Sequence, residues 1–297
     1  MANLKAIKKR IQGVRGTQQL TRAMKLVAAA KLRRAQEAAV QLRPYAEGIH
    51  NTIVHLARRV ESQAHPLLTR REMKKVMILL YSSDRGMCGS FNLNISREAE
   101  DFIRRQEEAG VEVTLAVIGK KGNEYFRRRG YKVVHHYHDL FANIDYEAIE
   151  PIGEELSKKY LSGDYDALFV AYNWFRSAVL QKVTLTQVLP VDLDSEIVEE
   201  GEETPHNDEA DTIPPIFEPG RREILDELFP QYLNMEIYHA LLESVASEMG
   251  ARMTAMENAT SNAEDLIKRL TLIYNKARQE TITTELMDIV GGAEAIK

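Results

Sequence analysis

The sequence predicts a fold that is part long α and part α/β: an antiparallel coiled coil of the N- and C-terminal helices, with an α/β unit between them. Three observations carry this. Gln231–Val290 reads as one uninterrupted helix, with no proline after Pro230 and Gly250 as its single glycine. Its apolar or small residues run Leu242, Val245, Met249, Met253, Met256, Ala259, Ala263, Leu266, Leu270, Ile273, Ala277, a mean step of 3.5 residues, which is the coiled-coil period. Ala2–Arg43 is likewise free of proline, and the stretch between the two alternates short β-type runs with helical ones.

Sixty helical residues make a rod of about 90 Å. No domain of this size hides such a rod, so the stripe needs a partner helix. The N-terminal stretch supplies it: Leu4, Ile7, Ile11, Val14, Leu20, Met24, Val27, Leu32, Ala35, Ala39 and Leu42 form a looser stripe. Ala23, Ala28, Ala29 and Ala30 are small enough for close approach and are strong helix formers. Terminal helices joined through everything between them suggest an antiparallel pair. Two unrelated amphipathic helices would not account for a stripe so long and regular. Pro44 removes one ladder bond and kinks the first helix, whose pattern resumes through Ile53, Leu56 and Val60.

The middle of the chain reads in order. Val76–Tyr81 is a buried strand, Asn94–Ala109 a helix ending at Gly110, and Val111–Ile118 a strand. Gly122–Arg129 gives a turn or two of helix before Gly130, and Tyr131–Val134 a third strand. Ile144–Leu161 is a helix ending near Gly163, followed by strands at Ala167–Tyr172 and Val179–Val188. The alternation implies a largely parallel sheet, and the short gap before the last strand allows an antiparallel edge. Glu196–Asp211 is rich in acids and poor in apolar residues and reads as a disordered or mobile loop. The boundaries expected are 1–60 and 220–297 for the two coiled-coil helices, 76–195 for the α/β domain, and 196–219 for the acidic loop and the segment after it.

The 297 residues carry a net charge of −5 that conceals a polarity. Residues 1–43 hold eleven Lys/Arg and one acid, while residues 192–211 hold ten Asp/Glu and no Lys/Arg. Val76–Tyr81, as long an apolar run as the chain has, is far too short to span a bilayer. The basic N-terminus resembles a transit peptide in charge, but it lacks serine and its helical stripe continues unbroken past residue 30. A single cysteine, Cys88, excludes an internal disulfide framework.

The search for chemistry comes back empty. Ser83–Asn92 follows a strand and precedes a helix, where phosphate loops sit, yet it matches neither GxGxxG nor GxxxxGK[ST]. Gly119–Gly122 is similarly placed and equally weak. His135, His136 and His138 with Asp139 lie on one strand, whose successive residues face opposite ways, so they read as a solvated strand end rather than a metal site. No cofactor, metal or catalytic residue is expected. The basic first helix, without an aromatic residue before Tyr45, leaves a coiled-coil nucleic-acid adaptor open, and Ser83–Asn92 leaves open a nucleotide-binding α/β enzyme.

Four segments then carry a resemblance. IKKRIQGVRGTQQLTRAMKLVAAAKLRRAQ (7–36), SSDRGMCGSFN (82–92), SVASEMGARMTAMENATSNA (244–263) and YNKARQETITTELMDIVGGAEA (274–295) resemble, in order, the signature stretches of the γ subunit of F-type ATP synthases. Met87 stands where that family usually has Leu, and Ser90 where it has Gly. The resemblance implies a Rossmann-like α/β domain at the foot of the coiled coil and the role of a rotor shaft. That shaft would couple ion-driven rotation of a membrane c-ring to ATP synthesis or hydrolysis in an α3β3 hexamer. It implies α, β, ε and c-ring partners, no nucleic acid, and contact with a membrane only through the c-ring. It also implies contacts of Arg278, Gln279 and Thr283 with the catalytic subunit's catch loop. Met24 and Lys25 would lie near that subunit's acidic lever. Phe217 and Glu218, in a stretch similar to the family's YEP segment, would lie near the c-ring and ε. Arg33 and Arg34 are read as solvating the helix. No cysteine pair accompanies the acidic loop, so thiol switching is not expected. A rotor helix beginning at the first residues implies a bacterial protein at the cytoplasmic face of the inner membrane.

Overall fold

A computed structural model describes residues 2–57, 71–142, 144–191 and 220–294. Helix α1 (Ala2–Ala57) leads into β1 (Lys75–Tyr81), α2 (Phe91–Glu108), β2 (Glu112–Ile118), α3 (Lys120–Arg128) and β3 (Val133–Tyr137). Then come α4 (Glu150–Ser162), β4 (Ala167–Phe175), β5 (Gln181–Leu189) and the long α5 (Arg221–Glu294). The sheet order is β3-β2-β1-β4-β5. The first four strands pair parallel, and β5 runs antiparallel to β4 at the edge, as the short connection implied.

Strand β1 is central and covered on both faces, which is why it reads as a continuous apolar run rather than an alternation. Met77, Leu79 and Tyr81 face α4 and α5, while Val76, Ile78 and Leu80 face α2 and α3. The first cluster runs without a break into the coiled coil through Ala28, Leu32, Ala35, Ile49 and Ile53 of α1. Shaft and α/β domain therefore share one core.

The coiled-coil seam departs from the expected stripes. On α1 the inward positions are Ile11, Val14, Gln18, Thr21, Lys25, Ala28, Leu32 and Ala35, a strict alternation of three and four residues. Leu20 and Val27 are exposed instead. On α5 the inward positions run Met256, Thr260, Ala263, Ile267, Leu270, Tyr274 and Ala277, leaving Leu266 and Ile273 outward. On α1 the displaced residues flank Thr21 and Ala28, which let the helices approach where Leu would hold them apart. On α5 they flank Ile267 and Tyr274, so there the three-four spacing that runs from Met256 sets the seam rather than side-chain size.

Several boundaries also differ. Helix α5 begins at Arg221 and passes through Pro230. The proline removes one ladder bond, and Leu225, Phe229 and Leu233, all buried, anchor the helix on either side of it. Strand β3 starts later than Tyr131, because the Tyr131 N–H is spent on Phe126 O at the end of α3. Helix α4 starts at Glu150 rather than Ile144, with a proline in its first turn. The acidic loop Glu196–Asp211 lies outside the described residues.

Candidate functional site

The shaft is the candidate functional surface. Polar contacts set its register: the Thr21 and Thr260 hydroxyls meet at 2.7 Å, and Lys25 Nζ lies 2.6 Å from Glu257. Toward the other end of the pair, Tyr45 OH donates to Gln231 at 3.3 Å. Numbers rise on one helix as they fall on the other, so the pairing is antiparallel. A hydroxyl layer in an apolar seam favours one register, since a slip breaks the contact between the helices and leaves each hydroxyl only a carbonyl of its own helix, Gln18 O for Thr21 and Met256 O for Thr260. Carried on to Ala2, this register leaves about fifteen residues of α5 beyond the start of α1, roughly 20 Å of single helix. Ile282, Leu286, Met287, Ile289 and Val290 are exposed there, and Leu20, Leu26 and Val27 are exposed on α1. Apolar side chains bared in this concentration mark a surface built to be covered.

The residues singled out from sequence fall in two zones. Arg278, Gln279 and Thr283 lie on adjacent turns near the end of α5 and are exposed. Arg278 makes no ion pair among the described residues, while the Thr283 hydroxyl donates to Gln279 O at 2.9 Å. Met24 is half-buried, and Lys25 is held in the shaft by Glu257. These lie roughly 30 Å down the shaft from Arg278. Arg33 pairs with Glu37 along the exposed face of α1, as a solvating residue would. Phe217 and Glu218 lie outside the described residues.

The loop Ser83–Asn92 has the position of a phosphate loop but different chemistry. Its backbone carbonyls face α5: Arg252 donates to Arg85 O at 3.3 Å and to Gly86 O at 3.2 Å. The same guanidinium meets Glu248 at 2.7 Å. Arg252 and Glu248 are both buried, and burial raises the Glu248 carboxyl despite its partner. Within the loop the Ser83 N–H donates to Asn92 Oδ1 at 2.9 Å, and burial raises the Cys88 thiol. Met87 takes a left-handed backbone, φ +64°, and is exposed. Sequence reasoning missed Arg252, although a Glu–Arg pair four residues apart beside the seam was there to be read.

On the other flank of α5 the β4–β5 hairpin makes directional contacts of its own. The Ser247 hydroxyl donates to Asn173 O at 2.8 Å, the Thr254 hydroxyl to Ala178 O at 2.9 Å, and Phe175 N to Glu243 at 2.8 Å. Gly250 lets the hairpin approach: a Cβ there would stand 3.0 Å from the Phe175 ring and 3.1 Å from Ala178 Cα.

Further toward the start of α5, Tyr81 OH donates to Ile237 O at 2.6 Å. Next to it Glu236 lacks a cationic partner among the described residues, and burial pushes its carboxyl up to about 7. His239 is held below its ordinary value by burial and then by Arg43. The strand histidines divide as alternation requires. His135 contacts Glu155 and Lys159 of α4, and His138 sits 2.7 Å from Asp139. Among the described residues no His/Cys/Asp/Glu group is placed to hold a metal. No described helix is long and apolar enough to cross a membrane.

A family model described as ATP synthase matches residues 3–296. The chain is 46% identical to a protein named ATP synthase gamma chain from Geobacter sp. (strain M21), over the whole of both chains. It is 44% identical to one of the same name from Anaeromyxobacter sp. (strain K), again over the whole of both. Among solved structures it resembles a chain of the Euglena gracilis mitochondrial ATP synthase rotor in rotational state 1. The TM-score is 0.66 at 18% identity, covering 95% of this chain and 99% of that one. It also resembles a chain of the Tetrahymena thermophila mitochondrial ATP synthase central stalk and c-ring. There the TM-score is 0.60 at 24% identity, covering 81% and 99%. At these identities the likeness to solved structures speaks for the fold.

Proposed function

The chain belongs to the ATP synthase gamma-chain family, and on that premise we propose that it is the central rotor shaft of an F-type ATP synthase. The observation that carries this reading is the antiparallel shaft of unequal helices that ends in a single bare helix. A shaft couples two sites by presenting different contacts at different angles, and a pair of unequal helices has no rotational symmetry to make those angles equivalent. In this role the chain performs no chemistry itself. It biases the catalytic β subunits of an α3β3 hexamer in turn, through Arg278, Gln279 and Thr283 near the tip and through Met24 and Lys25 below. The α/β domain, with Phe217 and Glu218, serves as the foot against the ε subunit and the c-ring. The chain is then peripheral to the membrane, reaching it only through the c-ring, at the cytoplasmic face of a bacterial inner membrane.

Two other readings lose ground on particular residues. A nucleotide site at Ser83–Asn92 needs inward-turned amides, and Arg252 instead finds two carbonyls there. A nucleic-acid adaptor needs stacking side chains among its basic ones, and α1 has no aromatic residue before Tyr45.

The test is co-purification with α, β and ε subunits, followed by Arg278→Ala in the assembled complex. Arginine forms a bidentate, charge-assisted pair with carboxylates. Its loss at a contact made at one rotor angle is expected to lower ATPase severalfold with subunit stoichiometry unchanged, since the seam is untouched. A merely solvated arginine is worth under about 0.5 kcal/mol. An unmodified rate would remove the assigned contact and leave the shaft reading standing, whereas failure to co-purify would overturn the shaft itself.

A further inference from the structure

We propose that Arg252 is a positioning residue that locks the α/β domain to the shaft against rotation about the long axis of α5, a role that rests on the rotor reading. The shared core between sheet and α5 is apolar, and apolar contact is non-directional. It holds the helix against the sheet, and directional bonds then fix the angle at which it sits. Resistance to turning requires directional bonds on two flanks of the helix. One flank has them in Ser247 to Asn173, Thr254 to Ala178 and Glu243 to Phe175, all on the β4–β5 hairpin. On the other flank the contact with the β1–α2 loop is made by Arg252, through Arg85 O and Gly86 O.

The chemistry of the residue suits the task. Glu248 on its own helix and the two loop carbonyls all surround Nη2, whose two protons are shared among them, while the planar, always-charged guanidinium holds that nitrogen at the end of a long stem. Glu248 balances the buried charge at 2.7 Å, and Met249 Sδ accepts from Nη1 at 3.7 Å. The loop is itself braced, with Ser83 Oγ donating to Arg85 O at 2.6 Å and Asn92 Nδ2 to Ser83 Oγ at 2.8 Å. Force on the α/β domain therefore reaches Arg252 through a stiff loop, and reaches α5 through a charge-compensated side chain.

Arg252→Met and Arg252→Lys in the assembled, membrane-bound complex test this. ATP hydrolysis and ATP-driven ion pumping are measured on the same vesicles, and hydrogen exchange of the loop amides on the purified complex. A loosened lock lets the shaft turn in the head while the foot lags. The expected result for Arg252→Met is hydrolysis near the unmodified rate, pumping per ATP lowered severalfold, and faster exchange in 83–92. Lysine keeps the charge beside Glu248 but ends one bond short of the position of Nη2, further from the loop carbonyls, so Arg252→Lys is expected to fall between the two. If Arg252→Met fails to assemble, Arg252→Lys decides. Hydrolysis and pumping falling in proportion, or both unchanged, would overturn the lock. An unmodified complex that lacked ATP-driven pumping would count against the rotor reading instead, so the two failures are distinguishable.

Discussion

Gly119→Ala is expected to yield a chain without a folded α/β domain. Gly119 ends β2 at φ +91°, a backbone open to glycine and strained for alanine. A Cβ there would fall inside the carbonyl group of Ser82, which is backbone and cannot swing aside. Ser82 cannot shift as a whole either. Its N–H donates to Ile118 O at 2.8 Å, its hydroxyl to the same oxygen at 2.8 Å, and Gly122 N donates to that hydroxyl at 2.9 Å. The clash lies between the ends of the two central strands, so relief would open the sheet. Strain and overlap together are expected to cost more than about 4 kcal/mol. Gly130→Ala is the control: its φ of +81° is similarly strained, but no atom lies within 4 Å of the added methyl, so it should cost about 1–2 kcal/mol. Urea unfolding followed through the single Trp174 compares them. Equal midpoints would show that Ser82 yields after all.

Glu236→Gln is expected to raise stability at pH 8 and to leave it nearly unchanged at pH 4. Burial lifts the Glu236 carboxyl from 4.5 to about 7, and no cation offsets it. The folded chain thus keeps a proton that the unfolded chain releases. Stability falls as pH rises from about 4.5 to about 7, then levels off. A shift of this size corresponds to about 3 kcal/mol at most, and glutamine, similar in shape and neutral throughout, removes it. The groups around Glu236 titrate outside that window or act equally in both proteins. Tyr81, Tyr172 and Tyr232 are raised further above neutrality. His239, lowered, gives an opposite slope common to variant and parent. The difference in urea midpoints between the two at each pH isolates the carboxyl. A difference that did not grow from pH 4 to pH 8 would show Glu236 to be solvated.

The paired termini and the parallel sheet were open to sequence reasoning because both are written as periodicity. Met256, Ala263, Leu270 and Ala277 fell on the seam as expected. Leu20, Val27, Leu266 and Ile273 did not. On α1 a close helix crossing selects for small volume and a hydroxyl partner, which Thr21 and Ala28 supply and hydropathy does not rank. On α5 Leu266 and Ile267 are equally apolar neighbours, between which hydropathy cannot choose. Thr21 and Thr260 identify each other only once the helices are placed, being 239 residues apart. The same holds for Arg252, whose acceptors are main-chain carbonyls that no side-chain motif records. The tip residues Arg278, Gln279 and Thr283 came from family resemblance, and among the described residues Arg278 makes no ion pair that would have marked it out.

The unpaired end of α5 has a consequence for assembly. A lone helix of about four turns is marginal in water, and this one carries its apolar side chains over about half of its circumference, with Met287 68% and Ile289 68% exposed. In the proposed shaft role this surface is hydrated in the free chain and covered on assembly. Burial of that surface should appear in calorimetry as a negative heat-capacity change of assembly, accompanied by an entropy cost of ordering that grows with the length of tip engaged. Shortening α5 from its C-terminal end should reduce both quantities step by step, so the thermodynamics of assembly would measure how deep the tip sits.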